Sequence, residues 1–491
     1  MINMLKSREF NELKTVPVWL PLFLGVLLGL AAAYLAFQQE WVFLMALLLI
    51  VPTAILFFVY PFAAVLIWLL VFPFFLKDVL PGSRMIYWIL QRAMIPGAVI
   101  AVLLLSASGI RKIRGFRIGL VDWIMLGYLV YSLANIILLT PQPAAQAIRF
   151  YDRIFVPFCM YWLVRLLNPD AKDLKLLLPI ALIIILSQVA VGMSSWTAPD
   201  LLPRQWLSRL GERTIGTLGS PGVLTTTLVF CAIFLVQAYH ETESSFLRWS
   251  SLIGIILAFF LVFFSFSRGS WLGGAVVLAG MAFIYPRTVS RLVVTGLIIA
   301  AVLYLATPLK SYFGFAEERL LTESTVEGRI LGGAATSRMI LEKPLLGWGY
   351  DQHEKFDEQF RDRVFNLAPN KQHSSHNTYL LITAEMGLIG LGLYLLPALI
   401  WLVRSVNVFK KLPFKGYPGQ AILVMLWLLL ADHFIAGNFT DLIQSTFFNT
   451  VMWWLALGLI ANIVDSVRVE QSLAEPSQAK QPTGAVQWQN G

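Results

Sequence analysis

Four arginines and one histidine stand out within a largely apolar sequence: Arg213, Arg268, Arg329, Arg338 and His376. A guanidinium group presents a planar fork of N–H donors that fits a phosphate with two parallel hydrogen bonds. An imidazole, whose ordinary pKa is about 6.5, suits proton transfer near neutral pH. These residue types together indicate a site that binds an anionic group and removes a proton from a second reactant.

Two of the arginines lie next to glycine-containing turns between apolar runs. Arg268 occurs in Phe-Ser-Phe-Ser-Arg-Gly-Ser-Trp, where the adjacent Gly269 would let a ligand approach the backbone. Arg213 precedes the stretch Thr-Ile-Gly-Thr-Leu-Gly-Ser-Pro-Gly, which predicts a helix with Ser220 as N-cap and Pro221 as its first residue. The alternatives are that Arg268 is an interfacial arginine extended toward water and that Arg213 belongs to a capping or re-entrant loop.

The other two arginines share the stretch Glu-Gly-Arg-Ile-Leu-Gly-Gly-Ala-Ala-Thr-Ser-Arg, which ends at Arg338. Either Arg329 or Arg338 could hold a phosphate. Either could instead pair with a nearby acid such as Glu323 or Glu327, and exposed pairs of that kind contribute little to stability.

His376 lies in His-Ser-Ser-His-Asn-Thr-Tyr, where a long polar segment meets the next apolar run. It can act as a general base, or it can cap a helix at the membrane interface. His373 lies three residues earlier, but two histidines without carboxylates in register make a weak metal site. The sequence therefore predicts no metal and no cofactor.

The composition indicates that lipid surrounds most of the elements that position these residues. Of the 491 residues, 58% are hydrophobic and 13% are charged, and the mean hydropathy is +0.72. Soluble proteins carry about 25% charged residues, so we expect an integral membrane protein. The two cysteines, Cys159 and Cys231, lie in apolar runs and are predicted to be buried, unpaired thiols.

A membrane-spanning helix needs about twenty mainly apolar residues. Runs of this kind predict an all-α, polytopic bundle of about 14 (12–14) transmembrane helices with one long periplasmic loop at residues 309–375. The predicted spans are residues 16–37, 41–59, 61–76, 92–108, 119–140, 147–167, 175–195, 220–240, 249–266, 269–286, 291–308, 378–403, 419–436 and 447–465.

Basic residues concentrate in alternate loops, as expected when those loops are cytoplasmic. The pattern predicts cytoplasmic N- and C-termini, and no nucleic-acid site, although the net charge is +9. The basic residues are Arg111, Lys112, Arg114, Arg117, Lys172, Lys175, Arg248, Arg287, Arg291, Arg404, Lys410, Lys411 and Lys415.

The same topology predicts that residues 194–220, 265–269 and 309–375 face outward, and with them the arginines and His376. Nucleotide-activated donors are not normally available on that side of a cytoplasmic membrane, whereas a phospholipid-linked donor is. Cations and one titratable base at this face therefore indicate a lipid-linked anionic substrate.

At these residues the sequence resembles the O-antigen ligase and O-antigen polymerase superfamily of bacterial envelope glycan enzymes. The closest likeness is His376-Asn377, nine residues, then Gly387-Leu-Ile-Gly390, which is similar to the ligase signature. Ser267-Arg268-Gly269 resembles a second motif of the family. The resemblance extends from about residue 213 to residue 452, whereas the first two hundred residues share only their helical, membrane-bound character.

Arg329, followed fifteen residues later by Pro344 and then by Gly347-Trp-Gly349, resembles a third motif of the family. The family often has a tryptophan four residues after this arginine, where this sequence has Gly333. The departure keeps Arg338 as a rival to Arg329.

The resemblance implies a GT-C-like membrane glycosyltransferase of lipopolysaccharide or other cell-envelope polysaccharide biosynthesis. It implies inverting, metal-independent transfer from an undecaprenyl-pyrophosphate-linked glycan to a lipid or glycan acceptor. His376 would be the catalytic base, and Arg268 and Arg329 would hold the pyrophosphate. By position only, Arg213 would be an auxiliary contact. The remaining motif residues would be structural, with two glycines that allow close helix packing: Asn377, Gly387 and Gly390.

The implied organisation divides the chain into N-terminal transmembrane helices at 1–200, a catalytic membrane domain at 201–465 and a disordered cytoplasmic tail at 466–491. A ligase is favoured over a polymerase of the Wzy type, which would join lipid-linked repeats. The rival from another class is a transporter of a lipid-linked glycan or small anion, for which Asp432 and His433 are candidate intramembrane groups. A group formed by Arg149, Asp152 and Arg153 is another candidate, but these three could pair among themselves.

Overall fold

A computed structural model describes residues 56–75, 87–109, 118–208, 213–306, 324–361, 376–442 and 447–478, with scattered positions between 29 and 44 and at 113 and 116. The regular structure in these ranges is entirely helical. Eight of the described helices are long and apolar enough to cross a membrane. The protein is therefore a polytopic helical membrane protein, as predicted, although the number of fourteen spans is not confirmed.

Besides helical residues at 29–31, 33–37 and 56–59, the N-terminal half of the described chain contains seven α-helices with defined bounds. They are α1 (Phe62–Val71), α2 (Ile95–Ala107), α3 (Leu120–Leu139), α4 (Pro143–Phe150), α5 (Val156–Leu167), α6 (Ala171–Lys175) and α7 (Leu177–Thr197). Two π-helical turns, Ile89–Met94 and Tyr151–Phe155, join directly to α2 and α5. Short 3₁₀ turns occur at Phe72–Phe74, Pro199–Leu201, Arg204–Trp206 and Gly216–Leu218.

The C-terminal half contains nine more helices. They are α8 (Pro221–Glu241), α9 (Ser245–Phe264), α10 (Arg268–Ile284), α11 (Pro286–Ala306), α12 (Ser324–Glu342), α13 (His353–Arg361), α14 (Thr378–Phe409), α15 (Gln420–Gly437) and α16 (Phe447–Gln478).

The predicted spans from the third onward each fall on helices of the structure, whereas the first two lie largely outside the described residues. Two segments differ from expectation. The segment predicted as one long loop, 309–375, contains α12 and α13. The last helix continues to residue 478, so residues 466–478 are helical rather than the start of a disordered tail.

One large apolar core joins the helices of the bundle. Large side chains that are almost completely buried fill it, and α8 and α16 are the most enclosed of its long helices. Both cysteines are free and buried, as predicted. The core residues with the largest side chains include Trp68, Trp401, Trp454, Tyr128 and Tyr161.

A second, smaller core attaches α12 and α13 to the beginning of α14. Ala335 and Met339 of α12, Phe360 of α13 and Ala384 of α14 are buried together, with Trp348 packed against them. This small core matters for function because α12 carries Arg329 and because His376 immediately precedes α14.

Candidate active site

The turn that follows α15, residues 438–442, brings the beginnings of three helices together. The Thr378 hydroxyl at the start of α14 donates to the Thr440 carbonyl oxygen at 2.8 Å and accepts from the Leu442 N–H at 2.9 Å. At the start of α8, a Cβ atom on Gly222 would lie 3.2 Å from the Thr440 hydroxyl oxygen. The amino-terminal ends of α8 and α14 therefore converge on this turn.

The start of α10 reaches the same turn through Phe439. A Cβ atom on Gly269 would lie only 2.8 Å from the Phe439 side chain, so a side chain larger than glycine would collide with the ring. Thr225 of α8 also donates to the Ser270 hydroxyl of α10 at 2.6 Å. Because the first N–H groups of a helix carry partial positive charge, this meeting of helix beginnings favours an anion.

Asn377 fixes the start of α14 next to His376. Its side-chain oxygen accepts hydrogen bonds from the N–H groups of Tyr379 at 2.9 Å and Leu380 at 3.0 Å, which makes it the N-cap. Its side-chain amide donates to the Asn438 side-chain oxygen at 3.3 Å. The motif residue Asn377 therefore ties the base candidate to the 438–442 turn.

The environment of His376 favours its neutral form. Partial desolvation lowers the pKa of the solvent-accessible imidazole, the Arg329 guanidinium lowers it further, and the Asp441 carboxylate acts in the opposite direction. A neutral imidazole can accept a proton, so the site chemistry is compatible with a general base. Asp441 was not among the residues predicted from sequence.

Arg329, rather than Arg338, lies at this site. The Arg329 guanidinium carbon lies 5.9 Å from the centre of the Phe439 ring. Nine residues along an α-helix turn a side chain by about half a revolution, so Arg338 points away on the opposite side of α12, where it is exposed. The side chains of Glu323 and Glu327, the predicted alternative partners, lie outside the described residues, as does His373.

Arg268 is the first residue of α10, directly before the Gly269 that packs against Phe439. The residue two positions earlier, Phe266, is completely buried and has a positive φ of 49°. This buried turn fixes where α10 begins. The geometry brings the backbone of Arg268 to the same turn as Arg329 and His376.

Arg213 is only indirectly linked to the site. The next residue, Thr214, donates its N–H to the Phe264 carbonyl oxygen at 3.4 Å, near the end of α9. The Arg213 Nε is buried and finds no hydrogen-bond partner among the described residues. The glycine-rich stretch after it is held by Gln188, which exchanges hydrogen bonds with Thr217, and α8 begins at Pro221 as predicted.

The two motif glycines of α14 have different environments. Gly390 faces a neighbouring helix: an added Cβ would lie 2.4 Å from the Met386 Cβ of α14 itself and 3.4 Å from the Tyr131 ring of α3. Gly387 instead breaks α14, with φ 68° and ψ −176°. An added Cβ there would lie 2.0 Å from the Leu345 carbonyl oxygen, so Gly387 accepts a loop segment rather than a helix.

The charged group in and after α4 is paired differently from the prediction. Asp152 binds Arg92 with two hydrogen bonds of 2.6 Å, whereas Arg153 pairs with Asp351 at 2.7 Å, and Arg149 pairs with Asp351 as well. The prediction that Arg149, Asp152 and Arg153 pair among themselves is therefore wrong. Adjacent residues such as Asp152 and Arg153 do not face each other on a helix, and each pairs with a residue of a distant segment.

Comparison with known proteins agrees with the motifs. Residues 253–395 match the family model described as O-antigen ligase. A protein of Rickettsia bellii named "Putative polysaccharide ligase" is 31% identical over 239 residues, which cover 45% of this chain and 52% of the relative. A Rickettsia prowazekii protein of the same description is 27% identical over 285 residues, 56% of this chain and 64% of the relative.

The chain thus spans between about half and two thirds of the length of these relatives. The family-model match includes Arg268, Arg329 and the whole run from His376 to Gly390. The resemblance of this chain to the O-antigen ligase and O-antigen polymerase superfamily, inferred from those three motifs, is therefore confirmed.

Proposed function

We propose that this protein transfers a polysaccharide or repeat unit from an undecaprenyl-pyrophosphate-linked donor to a hydroxyl acceptor at the outer face of the bacterial cytoplasmic membrane. The observation that carries the proposal is the meeting of His376, Arg329 and the start of α10 at the 438–442 turn. The likeness of residues 253–395 to O-antigen ligases supports the same reaction class.

In the proposed reaction, neutral His376 accepts the proton of the acceptor hydroxyl. The acceptor oxygen then forms a bond to the anomeric carbon while the bond from that carbon to the pyrophosphate oxygen breaks. A single displacement of this kind inverts the configuration at the anomeric carbon. The lowered pKa of His376 keeps the imidazole unprotonated near neutral pH, as a base requires.

Arg268 and Arg329 would stabilise the charge that develops on the departing pyrophosphate. Preorganised cationic donors act most strongly where charge increases in the transition state. The two arginines could thereby replace a divalent ion, so we expect transfer without added metal. Arg213, whose Nε lacks a partner among the described residues, is a candidate auxiliary contact to phosphate or sugar.

The proposal is tested by glycan transfer in proteoliposomes that contain an undecaprenyl-pyrophosphate-linked repeat and EDTA. Wild type is compared with His376→Ala, and His373→Ala serves as the matched control, three positions earlier in the sequence. We expect transfer by wild type and by the control, and loss of transfer in His376→Ala. Equal activity in His376→Ala and wild type would remove the base from the proposal.

The same assay separates the alternatives when acceptors are supplied or withheld. Growth of glycan chains without an added acceptor would identify a polymerase. Movement of the donor lipid across the bilayer without any glycan product would identify a transporter and would overturn the transferase.

A further inference from the structure

The proposed reaction depends on how two separate elements are held together. Arg329 belongs to α12, whereas His376 immediately precedes α14, and residues 343–375 separate these elements in the chain. The Arg329 guanidinium carbon lies 5.9 Å from the Phe439 ring centre, and Asn377, the residue after His376, donates to the neighbouring Asn438, so the two elements meet at the 438–442 turn. Something must therefore fix α12 against the first half of α14.

The backbone of residues 344–349 docks at the break in α14. The N–H groups of Trp348 and Gly349 donate to the carbonyl oxygens of Ala384 and Glu385 at 2.9 Å each. In return, the N–H of Leu388, just after the break, donates to the Pro344 carbonyl oxygen at 2.8 Å. The loop therefore takes up backbone groups that an unbroken helix would have paired internally.

α3 clamps the docked segment from its other side. The Asn135 side chain donates to the Leu346 carbonyl oxygen at 2.9 Å and accepts from the Tyr350 N–H at 2.8 Å. The Tyr131 hydroxyl donates to the Met386 carbonyl oxygen at 2.7 Å, directly before the break.

Two buried acidic side chains, Asp351 and Glu385, bind the end of the docked segment to neighbouring helices. Asp351 has a positive φ of 58°, and its side chain, only 6% exposed, pairs with Arg149 and with Arg153. A side-chain oxygen of Glu385, also buried, accepts from the His353 N–H at 3.4 Å at the first residue of α13.

His353 connects α13 to α12 by a hydrogen bond on the side of α12 that carries Arg329. Its Nε2 lies 2.9 Å from the Thr336 hydroxyl oxygen. Since Thr336 donates its own proton to the Gly332 carbonyl oxygen at 2.8 Å, His353 is the donor in this pair. Seven residues are almost two turns of an α-helix, so Thr336 and Arg329 lie on the same face of α12.

We propose that Asp351 is a positioning residue, which locks residues 344–351 against α14 and so holds Arg329 of α12 beside His376. The inference rests on the proposed function, because Asp351 can affect transfer only if Arg329 takes part in the proposed reaction. Asp351 lies outside the predicted set of site residues, and its two ion-pair partners come from a segment about two hundred positions earlier.

The test uses the full chain in proteoliposomes and the variants Asp351→Asn, Arg329→Ala and their combination. We expect Asp351→Asn to lower kcat about 10- to 100-fold, the range for a displaced catalytic contact, with little change in the KM for donor. In the Arg329→Ala background the same substitution should cost less than about twofold, since residues that act through one another are not additive. Glu354→Gln, an exposed acid on α13, is the matched control and should resemble wild type.

Hydrogen exchange of the same proteins without donor gives a readout that does not depend on activity. Asp351→Asn should speed exchange of the amides in residues 344–353, and Glu354→Gln should not. If Asp351→Asn yields too little folded protein, Arg149→Gln replaces it, because Arg149 is the more exposed of the two ion-pair partners of Asp351 and its loss weakens the same contact.

Losses that multiply in the double variant, or unchanged exchange in residues 344–353, would overturn the positioning role while leaving the transferase intact. Full activity of both Arg329→Ala and His376→Ala would instead overturn the proposed function, and the positioning role with it.

Discussion

His376 has a backbone conformation that residues other than glycine seldom adopt, with φ 46°. Such a conformation costs about 1–3 kcal/mol and persists only when the surroundings impose it. Here the Asn377 cap and the 438–442 turn impose it. Among the described residues, three other non-glycine residues have positive φ. Phe266 lies two positions before Arg268 and Asp351 lies in the docked loop, whereas Asn168 caps the end of α5.

The acidic limb of the pH–rate profile should report His376 directly. Its pKa is lowered from 6.5, so the neutral base persists to lower pH and the midpoint of this limb in kcat/KM should lie below 6.5. Asp441→Asn removes a charge that raises this pKa and should move the midpoint further down, whereas Arg329→Gln should move it up. A wild-type midpoint above 6.5, or shifts of both variants in one direction, would contradict the assignment of the base.

Arg268 should be sensitive to the shape of its cationic group as well as to its charge. Arg268→Lys keeps the charge but loses the planar fork, so we expect kcat/KM to fall roughly 10- to 100-fold. Arg287→Lys, an exposed position at the start of α11, is the matched control and should have little effect. Initial rates over a range of donor concentrations give kcat/KM for both variants. Full activity of Arg268→Lys would mean that the start of α10 has a structural role only.

At the scale of elements, the break in α14 converts one long helix into two functional halves. The first half begins directly after His376 and the N-cap Asn377, and the second half continues through the bundle to Phe409. Non-helical backbone at membrane depth is tolerated where it is buried in protein, and residues 344–349 with α3 provide that cover.

Gly387→Ala should therefore be far more disruptive than a second glycine substitution in the same helix. A methyl group at Gly387 meets the Leu345 carbonyl oxygen at a φ of 68°, whereas nothing lies within 4 Å of a Cβ at Gly392. We expect Gly387→Ala to lower the melting temperature and transfer activity, and Gly392→Ala to leave both near wild type or to stabilise slightly. Thermal unfolding in detergent measures the difference, and equal melting temperatures would show that the break is dispensable.

Local signals explain which elements were predictable. Apolar run length located the spans, and proline after serine located the beginning of α8 at Pro221. The histidine–asparagine motif predicted the start of α14, although the N-cap is Asn377 and not His376, for which the sequence offered a capping role. These features depend on neighbouring residues, which is why a single sequence is enough to infer them.

The parts that could not be predicted depend on pairs far apart in the chain. Arg153 and Asp351 are 198 residues apart, and nothing in either neighbourhood identifies the partner. The same holds for Asp441 beside His376 and for Phe439 between Gly269 and Arg329. A glycine at position 387 could serve either close helix packing or a positive φ, and only the contact with the docked loop shows which of the two roles it has.

At the scale of the whole molecule, the two ends of the bundle are built differently. At one end, Gly349 of the docked loop lies against Leu139, the last residue of α3. At the other end, Asp122 in the first turn of α3 binds Arg165, which also pairs with Asp465 at 2.8 Å. This buried ion-pair group ties α3, α5 and α16 together on the side away from the candidate site, where the sequence predicts the cytoplasm.

That orientation can be measured with single cysteines, because the native Cys159 and Cys231 are buried. Ser337 of α12 and Lys411 after α14 are both exposed, and α14 lies between them in the chain. At 1.5 Å per residue the second half of α14, residues 388–409, is about 33 Å long, enough to cross the hydrocarbon core of about 30 Å, so the two ends of α14 should emerge on opposite sides. In spheroplasts, a membrane-impermeant maleimide should label Ser337→Cys directly and Lys411→Cys only after permeabilisation. The reverse pattern would put His376 on the cytoplasmic side and exclude transfer at the outer face, and labelling of both from one side would mean that α14 does not cross the bilayer.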